Sequence, residues 1–249
     1  MCTILLAWRC LADAPVALVA NRDELVDRPS SPPARVASDP AVAAGTDLLA
    51  GGTWLAVAAD GRVAAVTNRR SGAGGELGRD PTRRSRGELP MAVLGGASDE
   101  GARRVLSGLD PAAYNPVNLL YVSPTAALVA HASGAGLRLV ALDPGPHVLT
   151  VHDVDDPRPA KDIALAARLR AAVASAGSGT ALLAAMEEML RDPGAPGADP
   201  LDAVCIHGDR YGTVSASSVL VAASGRVTYR HAQGRPCTTP FEDVSALLG

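Results

Sequence analysis

The sequence predicts an α+β fold of antiparallel sheets covered by helices, and three observations carry that prediction. Short apolar runs separated by turn residues occupy both ends of the chain. Between them, two stretches switch to a period near 3.6. An apolar content of 47% over 249 residues is enough to bury a full core, so one domain over residues 1–249 is expected.

The runs Thr3–Trp8, Val16–Ala20, Thr53–Ala58, Val63–Thr67, Asn118–Val122, Ala126–His131, Leu137–Leu142 and His147–His152 read as strands. Asp60-Gly61 between two of them is a hairpin signal, because both central positions tolerate positive φ. Pro159–Ala176, with Ile163, Ala166, Ala167, Leu169 and Val173 on one face, and Thr180–Arg191 read as packed helices. Gly87–Leu94 and Asp99–Leu109 are weaker helical candidates. Strands return at Asp202–His207, Val214–Ala222 and Gly225–His231. The layering that suits this order is sheets with helices grouped against them.

Bulk properties exclude several classes of function. Net charge is −3 and the isoelectric point about 5.9, which gives no general attraction for nucleic acid or anionic membrane. No apolar run reaches the ~18 residues that a membrane-spanning helix needs. The first residues lack the basic leader and long apolar core of a secretion signal, so cytoplasmic residence is expected. Cys2, Cys10, Cys205 and Cys237 form no C-x-x-C pair, and reduced thiols are the expectation. Five histidines show no metal-ligand spacing, so no metal is expected.

Cys2 is the leading catalytic candidate. Removal of the initiator methionine would place a thiol and an α-amine on one residue, and an amine with a pKa near 7.7–8.0 can take the thiol proton. Taken alone, a cysteine at the second position is more simply a buried, inert residue on a first strand. Asn21-Arg22-Asp23-Glu24 ends the strand that pairs back on the first. Asp23 there could hold an ammonium and Arg22 could neutralise developing charge, or the four could be a solvated turn. Gly51-Gly52 entering a strand permits close backbone approach. Asn68, ending the return strand, offers an amide to an oxyanion or caps a turn. Trp54, Arg69, Arg70 and His152 complete the binding candidates. With Arg79, Arg83, Arg84 and Arg86, the two arginines form a basic stretch that could meet a carboxylate, a phosphate or an acyl-CoA headgroup, or be a solvated loop.

Met1-Cys2-Thr3, Ala20-Asn21-Arg22-Asp23-Glu24, Asp27-Arg28-Pro29, Ala50-Gly51-Gly52-Thr53-Trp54, Thr67-Asn68-Arg69-Arg70 and Ser85-Arg86-Gly87-Glu88-Leu89-Pro90 together resemble the NRDE family, also called the transport and Golgi organisation family. The resemblance is dense to about residue 90 and thins beyond Asn118. It implies a four-layer αββα sandwich of N-terminal-nucleophile hydrolase type, distantly similar to cysteine-dependent choloylglycine and penicillin V acylases. Carried over, Cys2 is nucleophile, Arg22 and Asp23 flank it, and Asn68 is an oxyanion donor. A small acyl or amide compound is the implied partner, with no obligatory cofactor. Haem enters as a ligand through the family's link to haem handling.

Two positions depart from the family pattern. Where it places Ser-Asn or Thr-Asn after a Pro-Gly turn, this chain reads Thr150-Val151, and Tyr211-Gly212-Thr213 is followed by Val214 in place of arginine. The sequence therefore supports two readings. One is a hydrolase or acyltransferase acting on a linear amide, ester or thioester through Cys2. The other is a non-catalytic protein that binds or traffics haem or an acyl ligand.

Overall fold

Side-chain alternation in the first two strands decides the layering. The computed structural model describes residues 2–70, 80–195, 197 and 199–249. In it β1 (Thr3–Leu11) and β2 (Ala14–Leu25) form a hairpin that pairs Thr3 with Asn21 and Trp8 with Val16. Ile4, Leu6, Trp8, Val16 and Leu18 fall in one apolar cluster, and Leu5, Ala7, Ala17 and Val19 in another. Strands apolar on both faces must be covered on both.

The first sheet runs β10 (Gly145–Leu149), β1, β2, β11 (Tyr211–Val221), β12 (Val227–Ala232) and β13 (Glu242–Asp243). The second contains β3 (Ala34–Ser38), β4 (Ala41–Ala44), β5 (Leu55–Ala58), β6 (Val63–Asn68), β7 (Val117–Val122), β8 (Ala127–Ser133) and β9 (Gly136–Ala141) in chain order. Every pairing within both sheets is antiparallel. The inner faces meet through Leu18, Val219 and Tyr229 from the first sheet and Leu55, Leu120 and Val129 from the second.

Helices close the two outer faces. α3 (Ala160–Ser175) and α4 (Gly179–Leu190) lay Leu165, Leu169, Leu182 and Met186 on Leu5, Val19 and Val148. α1 (Leu89–Leu94) and α2 (Asp99–Ser107) cover the second sheet through Val93, Leu94, Ala102 and Leu106. The order is helix, sheet, sheet, helix, the expected αββα sandwich.

Local differences from the sequence reading have local causes. β3 and β4 were not anticipated: β3 is largely exposed and shows no apolar run, and β4 is only four residues long. Asp202–His207 is not a strand. After a 3-10 turn at Pro200–Asp202 it is irregular backbone, satisfied instead by Cys205 N–H to the Asp192 carbonyl (2.8 Å) and Ile206 N–H to Thr213 Oγ1 (2.8 Å). The buried face of α3 is rotated from the expected one, so that Ile163 is 48% exposed while Asp162, Leu165 and Leu169 face inward. At the Asp60-Gly61 hairpin only Gly61 takes a positive φ (85°), and Asp60 instead binds Arg62.

Candidate active site

The hairpin register brings the start of β1 to the end of β2. Alternation then sends Asn21 and Asp23 to the helix side and Arg22 between the sheets. Asn21 Nδ2 donates to the carbonyls of Leu190 (3.0 Å) and Val204 (2.9 Å), tying the end of α4 to the sheet. Arg22 lies over the Trp54 ring (4.4 Å) and donates to Asp47 Oδ2 (3.3 Å) and Ser30 Oγ (3.3 Å). Asp23 receives the Thr213 hydroxyl at Oδ1 (2.6 Å), and its carbonyl accepts from the Tyr211 hydroxyl (3.0 Å).

Cys2 is half-buried at this point, its Sγ 4.0 Å from the Asp23 carbonyl oxygen. Burial pushes its thiol up, and the Asp23 charge adds to that, while the Arg22 guanidinium works in the opposite direction. Burial also raises the Asp23 carboxyl, opposed by the Thr213 hydrogen bond and by Lys161. Lys161, on the first turn of α3, donates to the Ala203 carbonyl (2.6 Å). Its own pKa is lowered by burial against the attraction of Asp23, Asp162, Asp202 and Cys2.

Cys2 opens into a cleft of about 450 Å³ that also holds Arg22, Trp54, Asn68 and Tyr211. The Asn68 side chain makes no hydrogen bond among the described residues and is available to a ligand. Arg28, Arg83, Arg84 and Arg86 add positive charge to the wall. Part of it is already spent: Arg28 binds Asp47 (2.7 Å), Arg83 donates to the Tyr114 carbonyl (2.7 Å), and Arg84 pairs with Glu88. Burial pushes the Asp47 carboxyl up, but Arg28 and the backbone amides of Ala50 and Leu49 outweigh it and hold it below the usual range. Gly52, at φ 77°, lets Ser85–Gly87 reach the wall: a Cβ there would stand 2.4 Å from the Gly87 carbonyl, which accepts from Thr53 N–H at 2.7 Å.

Four expected site residues, Cys2, Arg22, Asp23 and Asn68, therefore converge with Trp54. Three binding candidates do not line the cleft. Arg69 is drawn to Asp153 (2.5 Å) and to Asn118. His152 is held by the buried Asp162 (3.3 Å), and Arg70 is anchored through its backbone N–H to the Val151 carbonyl (2.8 Å). Arg79 lies outside the described residues. Val151 is 1% exposed, and Thr150 Oγ1 is committed to Asp162 (2.8 Å).

Lys161, Thr213 and Tyr211 were missed as site residues. Lys161 is the chain's only lysine, and no local pattern ties the start of a helix to Asp23 on a distant strand. Sequence spacing also showed no metal ligands, yet folding brings ligand atoms of Cys205, His207 and Cys237 within 4.8 Å of one another.

The family model for Transport and Golgi organisation 2 matches residues 1–233. Two solved structures share the fold. A mutant conjugated bile acid hydrolase from Clostridium perfringens superposes with a TM-score of 0.53 at 14% identity, over 100% of this chain and 94% of that one. Penicillin V acylase from Agrobacterium tumefaciens does so with a TM-score of 0.56 at 11% identity, over 93% and 82%. Both are N-terminal-nucleophile hydrolase folds. No curated protein matches by sequence.

Proposed function

The chain belongs to the Transport and Golgi organisation 2 family, and from that premise we propose a cysteine N-terminal-nucleophile hydrolase or acyltransferase that attacks a linear amide, ester or thioester through Cys2. The observation that carries the reading is the convergence of Cys2 and Asn68 on one cleft, with Asp23 fixed beside the thiol. Loss of Met1 would free the Cys2 amine to accept the thiol proton. Sulfur then adds to the carbonyl, and the Asn68 amide donates to the oxyanion. The leaving amine, alcohol or thiol departs with the proton, and water or a second acceptor takes the acyl group from sulfur. Acyl groups with an anionic end suit the arginine-bearing wall. A cytoplasmic setting, which keeps the thiol reduced, belongs to the same reading; all four cysteines are free. Among the described residues no helix is long and apolar enough to cross a membrane.

A specific observation favours a second reading, an acyl-ligand-binding protein without efficient turnover. Residues 150–152, where the family pattern places an asparagine, supply no side-chain donor to the cleft: Val151 is apolar, and Thr150 and His152 are committed to Asp162. One lost oxyanion donor costs roughly a hundred- to a thousandfold in rate. Haem suits the cleft poorly. Of the side chains that hold haem iron, Cys2 and Tyr211 alone line it among the described residues, and both are turned to the Asp23 carbonyl.

Protein isolated from its own host, examined by intact mass before and after exposure to p-nitrophenyl acyl esters and acyl-CoA, tests both. The first reading expects loss of Met1 and an acyl adduct that Cys2→Ala abolishes; retained methionine or an unmodified Cys2 sinks it. Saturable acyl-CoA binding without an adduct establishes the second.

A further inference from the structure

We infer that Cys205, His207 and Cys237 form a binding site for a thiophilic divalent cation of the zinc class, with a fourth position open to solvent. The two sulfurs are 3.3 Å apart, and His207 Nε2 is 3.7 Å from Cys205 Sγ and 3.0 Å from Cys237 Sγ. A tetrahedral zinc with bonds of about 2.3 Å to sulfur and about 2.0 Å to nitrogen separates its ligand atoms by roughly 3.5–3.8 Å. The triangle already has nearly this size, and its shortest edge needs to widen by only about half an ångström. Two thiolates, one imidazole and an open position form a donor set that zinc accepts.

The ligands are held by backbone contacts that do not depend on a cation. Cys205 N–H is fixed to Asp192 (2.8 Å) and the neighbouring Ile206 N–H to Thr213 Oγ1 (2.8 Å). The Cys237 loop is closed by Thr238 and Thr239 N–H to the Arg235 carbonyl, and Arg235 reaches across to the Gly208 carbonyl (3.1 Å). Burial is graded from Cys205, inside, through Cys237 to the exposed His207, which sets the open position on the solvent side. None of the three lines the cleft, so the site stands apart from Cys2. It does join the loop before β11 to the loop after β12, and β11 supplies the Tyr211 and Thr213 that grip Asp23. On coordination both thiols release their protons to solvent, and neutral imidazole binds through Nε2.

Full-length protein, reduced and stripped with a chelator, is titrated anaerobically with Co2+ and then Zn2+. The expected result is one equivalent of Co2+ with thiolate-to-metal charge transfer and tetrahedral ligand-field bands, displacement by Zn2+, and a raised Tm. Cys237→Ser and His207→Ala should each weaken binding by about tenfold or more, while Cys2→Ser leaves it unchanged. Because His207 is exposed, the metal-free Tm of His207→Ala should match the parent, which separates lost ligation from lost fold. Reduced protein that takes up no Co2+ overturns the site, as does undiminished binding in Cys237→Ser, loss of binding in Cys2→Ser, or a thiol count showing the pair oxidised in protein from its host.

Discussion

Cys2 sits between opposing influences: burial and the Asp23 charge raise its thiol, Arg22 lowers it, and Lys161 is close enough to interact with it. The net shift is upward, so alkylation of Cys2 by iodoacetamide, followed on the Cys2 peptide, should reach half its limiting rate above the ordinary thiol range. Lys161→Gln removes a favourable cation and should move that midpoint higher still. An unchanged or lowered midpoint would show that Lys161 does not act on the thiol. Asn68 makes a separate prediction. If its amide donates to the oxyanion, Asn68→Ala should lower single-turnover acyl transfer by roughly a hundred- to a thousandfold and leave the Tm nearly unchanged, since the side chain holds no other partner among the described residues. The Asn21-Arg22-Asp23 segment divides its labour by alternation: Asn21 secures α4, Arg22 stacks on Trp54 in the cleft, and Asp23 presents its carbonyl to the thiol.

The cleft wall depends on two short connections rather than on regular strands. Gly52→Ala would force a side chain into positive φ and against the Gly87 backbone. A loss of about 2 kcal/mol is expected, read as a Tm fall of several degrees, with weaker binding of acyl-CoA because Ser85–Gly87 is pushed off the wall. Asp47 anchors the other connection by receiving Arg22 and Arg28. Its folded pKa lies below the unfolded one, so its stabilisation is complete above the ordinary carboxylate range and disappears as pH falls through the folded value. Asp47→Asn should therefore lower the Tm at pH 7, by about 2 kcal/mol of stability, and flatten the acid limb of a Tm-against-pH curve. A parallel shift at all pH values would place the stabilisation elsewhere. α4 shows why helix faces are harder to read than strands. Glu187 lies on its buried side, acceptable there because Ser218 (2.5 Å) and Arg230 (2.7 Å) meet it. No local pattern announces partners 31 and 43 residues away.

Across the whole molecule the two sheets are held by their shared inner core, so Leu18→Ala, fully buried between them, should cost about 2–5 kcal/mol by chemical denaturation, more than any single change at the cleft wall. Much of this architecture was legible. Continuous apolar runs at Thr3–Trp8 and Val16–Ala20 with turn residues between them form a hairpin, and that hairpin carries Asn21-Arg22-Asp23 back to Cys2. Period-3.6 runs at Pro159–Ala176 and Thr180–Arg191 require helices, although the face of α3 that turned inward carries Leu165 and Leu169 together with Asp162, bonded to Thr150, and leaves Ile163 outside. The sequence by itself determined the elements and the Cys2 hairpin, because local periodicity and short-range pairing act between near neighbours. Only the tertiary structure decided that Arg69 and His152 turn away to Asp153 and Asp162, that Lys161 approaches Asp23, and that Cys237 meets Cys205 and His207. Each of those outcomes is a competition between partners distant in the chain, settled by charge, burial and available space once the layers have packed.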